Sequence, residues 1–65
     1  MIARVIKTGN GMVMAFDTSG RELPEFQGPY DLVRKRVLAA ASADTVFQHW
    51  FGADEAPVMV QSSEW

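Results

Sequence analysis

The chain has 65 residues, a formal net charge of −2, a single histidine and no cysteine. These properties exclude disulfides and a zinc site built from cysteine and histidine, and they argue against a dedicated duplex-DNA binder, which is normally basic. Hydrophobic residues make up 48% of the sequence. A chain this short buries only about 60% of the surface that its unfolded form exposes, so we expect self-association to cover the surplus.

A β-hairpin is the first predicted element. Two predicted strands, over residues 2–7 and 12–17, flank an Asn-Gly pair at residues 10–11 that suits a two-residue type I′ turn. This register places Arg4 opposite Asp17, where the two side chains would form a cross-strand ion pair. The predicted strands place Ile6 with Val13 and Ala15 on one face and Val5 with the opposite set. Both strands therefore carry apolar residues on both sides, which predicts that a helix covers one face of the hairpin and a second subunit the other.

One helix is predicted over residues 29–42. Proline at residue 29 has the backbone angle of a first helical position, and Asp31 lies near the positive end of the helix dipole. A stripe at three- and four-residue spacing predicts the buried side of this helix, and its members are Val33, Val37, Ala40 and Ala41. Leu32 and Leu38 fall outside the stripe, which again indicates more apolar surface than one sheet face can cover.

Residues 45–51 have two interpretations. Their β-branched and aromatic side chains favour a strand, while the alternative continues the helix through Trp50 and ends it at Gly52. A short strand over 58–61 could pair back onto this segment. The prediction for residues 1–65 is therefore a single small α+β domain. It has an antiparallel sheet of three to four strands in the order β-β-α-β-β, or β-β-α-β under the alternative, with one helix packed on one face.

Six residues are candidates for binding. The aromatic segment could provide a stacking platform, and the basic side chains could contact phosphates if strand and helix present them together. Aromatic residues in a domain of this size are more often core, however, and basic residues on a helix more often form a solvated surface. The six candidates are Phe47, His49, Trp50, Arg4, Lys7 and Arg34.

The pattern of residues does not identify a function. The leading hypothesis is a small protein-interaction or regulatory module that acts as a homodimer, with another protein as a further possible partner. The alternative is a weak binder of single-stranded nucleic acid, which the negative net charge disfavours. An enzyme with a site shared across a dimer interface ranks third, because no catalytic constellation, metal site or cofactor motif is present.

The cellular location is predicted to be the cytoplasm. Arg4 and Lys7 interrupt the first apolar stretch, so it does not have the pattern of a secretory signal peptide. No stretch approaches the roughly 20 apolar residues of a membrane span, and membrane association is not expected.

Overall fold

The computed structural model describes all 65 residues and contains one α-helix and five strands. Residues 45–51 contain a strand, as their composition favours, and the short strand near the end of the chain is also present. The elements in chain order are β1 (Arg4–Thr8), β2 (Met12–Phe16), a 3₁₀ turn (Pro24–Phe26), β3 (Gly28–Pro29), α1 (Tyr30–Ala40), β4 (Val46–Trp50), β5 (Val58–Val60) and a 3₁₀ turn (Ser62–Glu64).

The sheet is mixed, with the strand order β3-β2-β1-β4-β5. Pairing is parallel between the central strands β1 and β4 and antiparallel elsewhere, so the prediction of an antiparallel sheet of three to four strands is only partly correct. The difference arises between β2 and α1. The stretch before the helix adds the two-residue strand β3, which is antiparallel to β2 and therefore points in the same direction as β1. Helix α1 then carries the chain back in the opposite direction, so β4 runs parallel to β1.

The hairpin register differs from the prediction by one residue, because the loop has three residues rather than two. The N–H of Gly11 donates to the carbonyl of Thr8 at 3.0 Å, and Gly11 has a φ of +82°. This combination is a turn followed by a left-handed glycine, a common three-residue hairpin loop. Arg4 therefore lies opposite Phe16, and its guanidinium packs 4.9 Å from the ring centroid, so the predicted ion pair with Asp17 is wrong.

The core lies between α1 and one face of the sheet. A one-residue shift of register moves a whole strand's side chains to the opposite face, so Val5, and not Ile6, joins Val13 and Ala15 beneath the helix. Val33 and Val37 are the buried helix residues, whereas Ala40 of the predicted stripe is exposed and Ala41 lies just beyond the end of the helix. The cluster comprises Ile2, Val5, Val13, Ala15, Val33, Val37, Phe47 and Trp65. Leu38 packs against it, whereas Leu32 is exposed.

The turn after β2 predicts a pH dependence of stability. One carboxylate oxygen of Asp17 accepts the Ser19 hydroxyl at 2.7 Å and the N–H groups of Ser19 and Arg21 at 2.9 Å. These hydrogen bonds, the Ser19 hydroxyl first, lower the pKa of Asp17 from 3.8. A lowered folded-state pKa adds stability above the unfolded-state pKa, and this stability is lost as pH falls through the folded-state value.

We therefore expect urea unfolding measured across the acidic range to show stability falling as pH drops below 3.8. The Asp17→Asn variant keeps an oxygen acceptor but cannot titrate, so its stability should fall less over the same range. Identical pH profiles for the two proteins would contradict the role assigned to this carboxylate.

Candidate functional site

One face of the sheet has no helix packed on it, and we call it the open face. The strand registers place alternate residues of β1, β2, β4 and β5 together on this side. The helix packs on the other side, against Val5, Val13 and Phe47. The residues of the open face are Arg4, Ile6, Thr8, Met12, Met14, Phe16, Val46, Gln48, Trp50 and Met59.

The open face is mainly apolar, unlike the solvated side of an ordinary antiparallel sheet. Its central side chain, Ile6, is only 4% exposed and is flanked by Met14 and Gln48 on the neighbouring strands. Met59 is 70% exposed at the edge. Arg4 is the one charged residue on this face, and its guanidinium lies against the Phe16 ring.

A polar group in the middle of this face lacks a partner. The side-chain oxygen of Gln48 is buried and accepts no hydrogen bond. The backbone carbonyl of the same residue accepts the indole N–H of Trp65 at 3.0 Å. A buried acceptor without a donor is unfavourable, and this fold leaves that cost uncompensated at the centre of the open face.

A second feature lies where the parallel strands β1 and β4 end at the same edge of the sheet. Gly9 follows β1 and packs against the backbone of Phe51, which follows β4; a Cβ on Gly9 would lie 3.3 Å from the Phe51 carbonyl oxygen. Two clefts flank this contact. The larger has a volume of about 440 Å³ and contains Trp50, and the smaller has about 150 Å³ and contains Lys7 and His49.

Tyr30 organises the basic residues near the start of α1. The Lys7 ammonium lies 4.0 Å from the centroid of its ring, and Arg34 Nε donates to its hydroxyl at 2.8 Å. The Trp65 ring packs edge-on against the same ring, with centroids 5.3 Å apart. Tyr30 thus links two cations to the core.

The predicted binding residues fall on both sides of the sheet. Arg4 and Trp50 lie on the open face, whereas Lys7 and His49 are paired neighbours on the helix side. Arg34 projects from α1 toward Tyr30. The remaining candidate, Phe47, is 6% exposed and belongs to the core. Lys7, His49 and Arg34 thus lie on the helix side of the sheet, whereas Arg4 and Trp50 lie on its open face.

The binding candidates did not include the residues that dominate the open face. Met12, Met14, Phe16 and Met59 follow from strand alternation once the register is known, and the signal was present in the apolar residues on both sides of β2. Tyr30 was also missed, because a single tyrosine in the first turn of a helix gives no sequence signal for its cationic neighbours.

The structure contains no group of three or more histidine, cysteine or acidic residues placed to hold a metal ion. Its only α-helix is too short to cross a membrane. No family model, curated protein or solved structure matches this chain.

Proposed function

We propose that this protein is a small interaction module that forms a homodimer through the open face. The observation that supports the proposal is a sheet that is apolar on both sides and carries a helix on only one of them. Large exposed apolar patches on small proteins commonly mark interaction sites. A partner bound to the open face would supply the second covering layer of the sheet, which the chain itself does not provide.

A second copy is the partner that the chemistry of the open face favours. Two sheets of this kind pack face to face at a spacing of about 10 Å, and a two-fold axis pairs the same patch on both subunits. Arg4 is the one charge on the face and is already placed over Phe16. An acidic protein or a nucleic acid would need several cations there, whereas an identical apolar surface needs none.

The size of the face determines the expected affinity. Five strands with the usual spacing and up to five residues each give a face of about 20 Å by 17 Å. Two such faces hide about 700 Å², which is less than the roughly 1,000 Å² of a stable specific interface, so association through this face alone is weak and transient. We therefore expect a dimer with a dissociation constant in the micromolar range or weaker.

Sedimentation equilibrium over a range of protein concentrations tests this proposal. The wild-type mass should rise from monomer toward dimer, and Met59→Glu should stay monomeric, because an unpaired carboxylate in the interface weakens association by about a hundredfold. Leu32→Glu is the matched control, since Leu32 is 72% and Met59 70% exposed but Leu32 lies on the helix. Circular dichroism verifies that both variants fold.

Two results would contradict the proposal. A wild-type protein that remains monomeric at the highest concentration would show that the open face does not bind a second copy. Equal effects of Met59→Glu and Leu32→Glu would show that association, where present, does not depend on this face.

Binding of single-stranded nucleic acid is the second candidate function. It is supported by Phe16 and Trp50, two aromatic rings that share the open face with Arg4. A labelled single-stranded oligonucleotide at low salt should then bind with an affinity that falls steeply as salt is added, and Arg4→Gln should weaken it. If the fluorescence anisotropy of the oligonucleotide does not change at low salt, nucleic-acid binding is contradicted.

A further inference from the structure

The edge where β1 and β4 end gathers several groups that lie outside the open face, among them Lys7, Asn10 and His49. The loop after β1 also contacts the start of α1, because the N–H of Tyr30 donates to the Gly11 carbonyl at 2.8 Å. The carboxyl ends of adjacent parallel strands are a common place for ligands in sheets with helices, since loops and a helix start meet there. The two clefts at this edge differ in chemistry.

The larger cleft is aromatic with polar groups at its rim. Its volume of about 440 Å³ falls within the range of small-molecule sites. Trp50 forms one wall and is held in place, because its indole N–H donates to the Glu55 carbonyl at 2.7 Å. Asn10 also lines the cleft, and its side-chain oxygen accepts the Thr8 hydroxyl, which leaves both amide hydrogens for a ligand. This cleft suits a planar ring with acceptor atoms at its edge.

The smaller cleft is cationic. Lys7 lines it, and packing of its ammonium on the Tyr30 ring leaves hydrogen-bond donors free. His49 lines it as well, with a buried Nε2 atom that has no hydrogen-bond partner. Phe51 packs edge-on against the His49 ring but is itself 65% exposed, so movement of this side chain can uncover the imidazole. These groups suit a phosphate or carboxylate.

The two clefts adjoin at Gly9. Thr8, Gly9 and Phe51 line both of them. Residue 9 carries no side chain and packs directly on the Phe51 backbone, so backbone atoms alone form the boundary between the clefts at this point. A molecule with a planar ring at one end and an anion at the other could therefore occupy both clefts.

We propose that this edge binds a planar heteroaromatic ring linked to an anionic group, as in a nucleoside monophosphate. The ring packs against Trp50, and the phosphate accepts hydrogen bonds from Lys7 and from His49 once Phe51 has moved. The linking sugar crosses over Gly9. This inference does not rest on self-association through the open face, although Trp50 and Thr8 belong to that face.

A ¹H–¹⁵N NMR titration with adenosine monophosphate tests the proposal at a protein concentration where the wild type is monomeric. We expect saturable shifts, at millimolar nucleotide, in the backbone amides of Gly9, Asn10 and Gly52 and in the indole N–H of Trp50. Adenosine alone and inorganic phosphate alone should each bind about tenfold more weakly, since each occupies one cleft.

Substitutions distinguish the contributions of the two clefts to binding. They also show whether the charge of Lys7 acts on the ligand directly or only through the net charge of the protein. Lys7→Gln should weaken binding of the nucleotide about tenfold, whereas Lys35→Gln, which removes the same charge from an exposed helix position, should not. Asn10→Ala should weaken the nucleotide and adenosine but leave phosphate unchanged. The amide spectrum of each variant reports whether it is folded.

Three outcomes would overturn the proposal. Shifts scattered over the surface, or no saturation, would show that the edge is not a site. Equal losses of nucleotide affinity in Lys7→Gln and Lys35→Gln would show that the overall net charge, and not Lys7 in the cleft, determines binding. A single-stranded oligonucleotide that binds far more tightly than the mononucleotide, with shifts over the open face, would assign the aromatic and cationic groups to strand binding instead.

Discussion

Replacing Trp65 with alanine is expected to unfold the domain. Trp65 is 3% exposed and packs edge-on against Tyr30 and Phe47, with ring centroids 5.3 and 5.2 Å away. Its indole N–H also donates to the Gln48 carbonyl. Truncation of a buried aromatic side chain costs about 3–5 kcal/mol, which equals or exceeds the whole stability expected of a domain this small. Circular dichroism and urea unfolding measure this loss.

Trp50→Ala provides the matched control for that experiment. Trp50 is half-buried on the open face, and its indole N–H donates to the nearby carbonyl of Glu55. It lies outside the core cluster, so its truncation should leave a folded protein with a smaller loss of stability. If Trp50→Ala proves as destabilising as Trp65→Ala, or Trp65→Ala stays fully folded, the helix side of the sheet is not where most of the stability lies.

The second large effect is expected at Thr45, the one buried polar residue. Its hydroxyl donates to the Ile2 carbonyl at 2.7 Å and accepts the Ser42 N–H at 3.0 Å. These two hydrogen bonds join the start of the chain to the turn that precedes β4. Thr45→Val preserves shape but leaves the Ile2 carbonyl and the Ser42 N–H without this partner, and we expect a loss of about 2–3 kcal/mol in the free energy of unfolding.

Thr45→Ser distinguishes the hydrogen bonds from packing. Serine keeps the hydroxyl and removes one buried methyl group, so its cost should be about 1 kcal/mol. Urea denaturation of both variants gives the comparison. If serine destabilises the protein as much as valine does, the methyl group and not the hydroxyl matters at this position.

Local patterns predicted most of the elements correctly. The hairpin, the helix and the late strands follow from short-range signals: turn residues, a three- and four-residue apolar stripe, and β-branched and aromatic composition. The loop length of the hairpin did not follow, because glycine at both residues 9 and 11 permits more than one turn. A one-residue error there exchanged Val5 and Ile6 between faces.

Parallel pairing of β1 and β4 could not be predicted for a different reason. The direction of β4 depends on how many times the chain crosses the sheet between β2 and the helix. One of these crossings is made by the stretch from the 3₁₀ turn to β3. Only the two residues of β3 pair with the sheet in that crossing. A strand that short has no alternation pattern, so sequence periodicity does not reveal it.

The surplus of apolar residues was predictable, but its location was not. Leu38 packs against the core, and Leu32 stands alone on the helix surface. Part of the surplus lies on the open face, in Met12, Met14 and Met59, and the rest is spread over Met1, Phe51 and Val58. Two strands apart from each other in the sequence supply the three methionines of the open face, so only the register of the whole sheet brings them together.

Isotope-filtered NMR gives the most direct test of whether the open face binds a second copy. A mixed sample of ¹³C-labelled and unlabelled protein at high concentration should show intermolecular NOEs between the methyl groups of Met12, Met14 and Met59, since each lies on the face that the dimer buries. Intermolecular NOEs confined to Leu32 or the loops, or none in a sample that sediments as a dimer, would contradict it.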